Sequence, residues 1–185
     1  MKRNPVLAAV FLLATAFLLS ACGFHLRGSS GDANLPFTSI LVGFADNSAL
    51  GVELKRNIRS SGETRVVTDR KQAQVILESL AETKRKVILS LNSQGRVREY
   101  SLFYLVRFQV KDQQGNVLLP PTDIELRRTL AYNEAQALAK EAEEAMLYRD
   151  MQSDLVQQML RRLAAIKLTA VTNAPAATSL PATKN

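Results

Sequence analysis

Hydrophobic and polar residues alternate most strictly between residues 100 and 110, and this pattern predicts a half-buried β-strand. The apolar positions of this strand are Tyr100, Leu102, Tyr104, Val106, Phe108 and Val110. The turn sequences NSQG and DQQGN stand on either side of it, which predicts a meander of antiparallel strands. The outer strands of that meander are predicted over residues 74–91, where Val75, Leu77, Val87 and Leu89 share one parity, and over residues 124–132.

Two shorter apolar segments, FTSILVGFA at 37–45 and TRVVTD at 64–69, predict two further strands. The sequence between them has the pattern of an amphipathic helix, since Leu50, Leu54 and Ile58 recur at a spacing of four. Asn47 or Ser48 is the predicted N-cap, and Gly62 is the predicted C-terminal stop.

A second, longer helix is predicted from Asn133, which with Gln136 resembles a capping box, to Ile166. Its apolar residues step by three or four positions and predict one continuous stripe: Leu138, Ala142, Ala145, Tyr148, Met151, Leu155, Met159 and Leu163. The element order is therefore β-α-β-β-β-β-α. This order predicts an α/β (α+β) two-layer sandwich, with two helices packed on one face of a mixed, mostly antiparallel sheet.

The first 21 residues have the pattern of a secretory signal: Lys2 and Arg3, an apolar run over 6–19, and the small residues Ser20 and Ala21. Because the cleavage motif ends on Cys22, it resembles a bacterial lipobox, in which the cysteine becomes the first mature residue and is acylated. The alternative is a plain signal followed by a buried cysteine. By resemblance to the sorting rule of Gram-negative bacteria, Gly23 in place of Asp indicates the outer membrane, facing the periplasm.

The mature chain then divides into a lipidated tether over 22–34, a single domain over 35–167 and a disordered tail over 168–185, which is rich in Ala, Thr and Pro. Without residues 1–21 the chain has 22 basic and 17 acidic residues, a net charge of +5. This excess favours an anionic partner such as a phosphorylated lipid, a membrane surface or an acidic protein. The export signal argues against nucleic acid.

The sequence offers little for catalysis. The single histidine, His25, lies in the tether without the further ligands that a metal site needs. Glu141, Glu143 and Glu144 form one acidic cluster, which we interpret as a solvated helix face rather than an acid–base pair. We therefore expect no enzyme activity, no metal and no cofactor.

Basic residues are more prominent, at Lys84 to Lys86 and at Arg96 and Arg98 beside the NSQG turn. Such residues suit a phosphate-binding surface and equally suit a merely soluble one. Because hairpin strands bring residues on either side of a turn together, the two groups are expected to contribute to one basic ridge around the hairpin, although residues 86 and 96 are too far apart for direct pairing.

Several of these segments together resemble the lipopolysaccharide-assembly lipoprotein family LptE: the lipobox with CGFHLRG, the hairpin NSQGRVREY, and YNEAQALAKEAEEAMLYRDMQSDLVQQMLRRL. The resemblance implies a non-catalytic partner of the outer-membrane β-barrel LptD, which plugs the barrel lumen, supports barrel assembly and contacts lipopolysaccharide. By the resemblance, Lys140 matches a lysine with which the family contacts lipopolysaccharide. A second basic residue of the family, in the hairpin, matches Ser93 here, so the role of that residue would fall to Arg96 or Arg98. The alternative is an accessory lipoprotein of the barrel-assembly machinery or an activator of a cell-wall synthase.

Overall fold

The computed structural model describes residues 35–60 and 62–168, and the predictions for the signal peptide, Cys22, the tether and the tail from residue 169 onward lie outside these residues. The strands are β1 (Ser39–Gly43), β2 (Arg65–Val67), β3 (Val75–Leu91), β4 (Val97–Asp112) and β5 (Val117–Ala131). The helices are α1 (Ala49–Ser60) and α2 (Ala137–Ala164), with short 3-10 turns at Arg70–Gln72 and Glu134–Gln136. The predicted element order is confirmed.

The five strands form one open sheet in the order β2-β1-β3-β4-β5. β1 pairs in parallel with both β2 and β3. The long strands β3, β4 and β5 are antiparallel neighbours, joined by turns in which Gly95 and Gly115 have positive φ angles of 76° and 95°. Glycine adopts this conformation at no steric cost. The mixed, mostly antiparallel sheet with two helices is confirmed.

The core lies between the helices and one face of the sheet. Every even-numbered residue of β4 from Leu102 to Val110 is completely buried, as the alternating pattern predicted. α1 contributes Leu50, Leu54 and Ile58 to the same cluster. From α2 the cluster takes Met151, Leu155, Val156, Met159, Leu160 and Leu163. Burial of this apolar surface is the main favourable contribution to folding.

The prediction that β3 keeps one apolar parity along its length was wrong. Val75 and Leu77 are fully buried, whereas Val87 and Leu89 are exposed. The reason is a bulge between Ser79 and Ala81, where the register against β4 shifts by one residue. Because side chains alternate with period two, one extra residue moves the side chains that follow it to the opposite face, as far as the next register shift after Ile88.

The predicted stripe on α2 is fully buried only in the second half of the helix, and in the first half only Tyr148 of the predicted residues packs against the core, where it is partly buried. Residues 137–150 contain no buried side chain, and Leu138 is 83% exposed. Lys140 and Glu144 are partly buried, and Glu144 contacts Lys86 of β3, so a polar side chain meets the sheet where an apolar stripe was expected. The helix covers the 28 residues Ala137–Ala164 rather than the predicted range from Asn133 to Ile166, because residues 134–136 form a separate 3-10 turn capped by the Asn133 side chain and the helix ends before Ala165.

β5 begins seven residues before the predicted strand and includes Pro120 and Pro121. Since β5 is at the edge of the sheet, these prolines need not donate hydrogen bonds to a further strand. Within the described part of the chain, no helix combines the length and apolar character needed to span a membrane.

Candidate functional site

The strongest candidate site is a cleft where the β3–β4 turn meets the segment that leads into α2. Its volume is about 360 Å³. It is lined by Asn92, Gln94, Arg96, Val97, Arg98, Tyr132, Asn133, Glu134 and Ala135. Both arginines predicted beside the turn therefore line one cleft.

The turn side of the cleft is fixed by hydrogen bonds. The Asn92 side-chain oxygen accepts from the main-chain N–H groups of Gln94 and Arg96, at 2.9 and 3.0 Å. The two sides are joined where the Tyr132 N–H donates to the Arg98 carbonyl oxygen, at 2.9 Å. An edge-to-face contact between Tyr100 and Tyr132, with ring centroids 5.2 Å apart, supports the floor.

The two arginines differ in their partners. The Arg96 guanidinium lies 3.5 Å from a Glu134 carboxylate oxygen, and both side chains are about two-thirds exposed, so this ion pair contributes little to stability. Arg98 forms no ion pair with any other residue of 35–60 or 62–168. Its exposed guanidinium is thus available to an anion from outside the chain.

Lys140, the third predicted site residue, is not among the residues that line this cleft. Its Nζ lies 2.7 Å from a Glu143 carboxylate oxygen, and its side chain is only 18% exposed. Two residues of the acidic cluster are likewise engaged in ion pairs, because Glu143 contacts Lys140 and Glu144 contacts Lys86 of β3. These contacts fit the interpretation of the cluster as a charged helix surface.

A second basic group, Lys84 to Lys86, lies on β3 farther from the turn. Lys86 pairs with Leu102 in register, whereas Leu91 pairs with Val97, so about five strand residues, or roughly 17 Å, separate this group from the cleft. Lys84 Nζ lies 4.6 Å from the centroid of the Tyr104 ring. The hydrogen bond that the Lys86 ammonium donates to Glu144 raises the pKa of Lys86, which stays charged at neutral pH.

Beneath Lys84, a partly buried polar contact joins β3, β4 and the loop before α1. The Tyr104 hydroxyl donates to Glu82 at 2.6 Å, and the Ser48 hydroxyl donates to the other Glu82 oxygen at 2.7 Å. Burial is the main cause that raises the pKa of Tyr104 far above its usual range, and the hydrogen bond to Glu82 acts in the same direction. The phenol therefore stays protonated. Ser48 also accepts from the Gly51 N–H, which settles the predicted choice of N-cap in its favour.

Sequence reasoning missed Tyr132, Asn133 and Glu134 as parts of the cleft. Their contacts with the turn cross 34 or more residues, and local patterning carries no signal for such distant pairs. Among the described residues, no group of three or more His, Cys, Asp or Glu is arranged to hold a metal ion.

Comparison with known proteins places the chain among envelope lipoproteins. A family model described as "LptE: Lipopolysaccharide-assembly" matches residues 37–163. The chain is 28% identical over 162 residues to the LPS-assembly lipoprotein LptE of Pectobacterium atrosepticum, covering 84% of each chain. It is also 28% identical over 167 residues to the LPS-assembly lipoprotein LptE of Yersinia enterocolitica, covering 89% of this chain and 79% of the relative.

Two solved structures share the fold with more than a quarter of their residues identical. Uncharacterized lipoprotein B from Nitrosomonas europaea is 38% identical, with a TM-score of 0.67, and the match covers 77% of this chain and 91% of that one. A minor lipoprotein from Acinetobacter baumannii is 28% identical, with a TM-score of 0.56, and the match covers 69% and 90%. Since the family model spans nearly the whole folded domain, the chain belongs to the lipopolysaccharide-assembly family LptE.

Proposed function

We propose that this protein is an outer-membrane lipoprotein, anchored through acylated Cys22, that plugs the LptD barrel, supports its assembly and binds lipopolysaccharide on the way to the outer leaflet. Its role is non-catalytic. The observation that carries the lipid-binding part is the open cleft beside the β3–β4 turn, in which the guanidinium of Arg98 has no counter-ion among the described residues and lies beside Arg96.

Lipopolysaccharide carries phosphates, and planar guanidinium groups donate charge-assisted hydrogen bonds to phosphate oxygens. Arg98 is free to do so, and Arg96 would exchange an exposed, weak pair with Glu134 for a doubly charged ligand. Lys140 would have to leave Glu143 in the same way. We therefore expect Arg98 to contribute more to lipid binding than Lys140 does.

The outer surface of the domain supports the role of a barrel plug. Ion pairs cross the sheet and tie α2 to it, among them Arg107 with Asp123 and Arg128 with Asp154, each at 2.6 Å. The apolar core is self-contained beneath this charged surface. Large outer-membrane barrels have polar interiors that such a surface can occupy.

The first experiment identifies the partners. The full-length chain, tagged at its C-terminus, is extracted from outer membranes in mild detergent, and the co-purifying protein and lipid are identified by mass spectrometry. We expect LptD in equal amount, together with lipopolysaccharide. Recovery of the barrel-assembly machinery or a cell-wall synthase in its place would replace this proposal with the alternative.

The second experiment tests the cleft. Arg98→Glu is expected to weaken lipopolysaccharide binding by the full-length chain about tenfold, because it removes a charged donor and adds repulsion. Arg56→Glu makes the same change in charge on an exposed position of α1 and serves as the matched control. Binding by the parent chain should weaken as salt is raised. Equal affinity of both variants would remove Arg98 from the site.

A further inference from the structure

The outer edge of β3 is open over residues 83–89, which we call the open edge. β1 pairs with β3 only as far as Glu78, and β4 occupies the other side of β3 along its whole length. Beyond the end of β1, a cleft of about 490 Å³ lies between the loop before α1 and β3, lined in part by Asn47, Ser48, Glu82 and Lys84. A strand edge of this kind presents unpaired main-chain N–H and C=O groups.

The open edge is also apolar at one end. Val87, Ile88 and Leu89 are between 41% and 57% exposed. β5 is the edge strand at the far side of the sheet, and Pro120 and Pro121 protect it from pairing with a further strand. Beyond these prolines its exposed side chains are charged at every second position: Asp123, Glu125 and Arg127. The open edge of β3 contains no proline.

The cations of the open edge lie over the sheet rather than across the edge. Lys84 contacts the rings of Tyr104 and Tyr148, at 4.6 and 5.4 Å from their centroids. Arg85 reaches Glu125 on β5, and Lys86 reaches Glu144 on α2. Within the described residues, the one side-chain hydrogen bond to the main chain of 83–89 comes from the Tyr148 hydroxyl to the Arg85 carbonyl oxygen. The remaining edge is accessible to another strand.

Three consecutive cations restrict which strand can pair there. If two copies of this chain paired antiparallel about Arg85, Lys84 of one would stand opposite Lys86 of the other. Like charges directly opposite each other destabilise a strand pair, so the segment discriminates against a second copy. The same charges favour a strand that carries carboxylates at its centre. Lys84 has no carboxylate partner among the described residues, and Arg85 and Lys86 would share theirs, Glu125 and Glu144, with the added strand.

We propose that residues 83–89 of β3 dock an extended segment of a partner protein as an added strand, with acidic residues opposite Lys84 to Lys86 and apolar residues opposite Val87 to Leu89. Main-chain hydrogen bonds supply the affinity, and the alternating side chains supply the specificity. This surface is separate from the cleft at Arg96 and Arg98, and the inference does not depend on lipid binding.

The test uses the full-length chain in mild detergent and fluorescently labelled synthetic peptides of about nine residues. The parent peptide alternates Thr and Val around a central Glu-Asp-Glu, a second has three central lysines, and a third is the parent with N-methyl groups on adjacent central residues. We expect measurable binding of the parent by fluorescence anisotropy, and about tenfold weaker binding of both other peptides.

Lys84→Glu should weaken binding of the parent peptide about tenfold, whereas Arg56→Glu, with the same change in net charge, should leave it unchanged. Saturating peptide should slow amide hydrogen exchange in residues 83–89 and not in β5. The proposal is overturned if no peptide binds, if N-methylation has no effect, or if protection appears on β5 instead.

Discussion

At the scale of single residues, Gly51 illustrates how tightly α1 meets the chain before it. A Cβ atom at this position would lie 2.5 Å from the Cβ of Phe44. The Phe44 Cβ is bonded directly to the main chain, so it cannot move away freely. Gly51→Ala should therefore destabilise the domain by about 1–3 kcal/mol through overpacking. The higher helix propensity of alanine offsets up to about 1 kcal/mol of this loss. Urea unfolding measures the difference.

Val52→Ala is the control for this prediction, because Val52 is exposed on the same helix and its truncation should change stability by no more than about 0.5 kcal/mol. An increase in stability for Gly51→Ala would mean that Phe44 repacks without cost. The sequence pattern around Gly51 predicts a helical position and does not indicate the close contact with Phe44.

At the scale of elements, α2 consists of two halves with different roles. Its second half supplies six buried residues to the core, whereas its first half supplies only the partly buried Leu147 and Tyr148 and the contact of Glu144 with Lys86. Both halves have similar apolar content, so the pattern alone predicted one stripe. The first half lies against Lys84 and Lys86 of β3, whose charged side chains it meets through Tyr148 and Glu144.

Two leucine truncations on α2 test this division. Leu155→Ala should cost about 2–5 kcal/mol, since Leu155 is fully buried and its loss leaves a cavity. Leu138→Ala, the same chemical change in the exposed half, should leave stability within about 0.5 kcal/mol of the parent. Comparable losses of unfolding free energy in the two variants would show that the first half is packed as firmly as the second.

At the scale of the whole molecule, the proposed anchor joins a polar domain to a membrane. Cys22→Ser should abolish acylation, because serine cannot form the thioether to the lipid, and should shift the chain out of the outer-membrane fraction. Fractionation and intact-mass measurement of the chain check both outcomes. His25→Ala, three residues away, should keep both acylation and location. Retention of the Cys22→Ser chain in the outer membrane would assign anchoring to contacts of the folded domain.

Only part of the candidate site could be predicted from the sequence. The turn NSQG and the strands on either side of it predicted where Arg96 and Arg98 lie, since turn chemistry and alternation are local. Lys140 was carried over from the family motif, and its engagement with Glu143 was not anticipated. The wall formed by Tyr132, Asn133 and Glu134 comes from a segment more than 30 residues away.

The sequence by itself determined the order of elements, the faces of α1 and β4 and the positions of the turns, because these follow from periodicities of 3.6 and two and from the conformational freedom of glycine. The tertiary structure alone decided the bulge after Ser79, the exposure of the first half of α2, the cleft at Arg98 and the open edge of β3. Each of these depends on which distant strand or helix lies opposite a residue. Patterns within a few residues carry no record of that pairing.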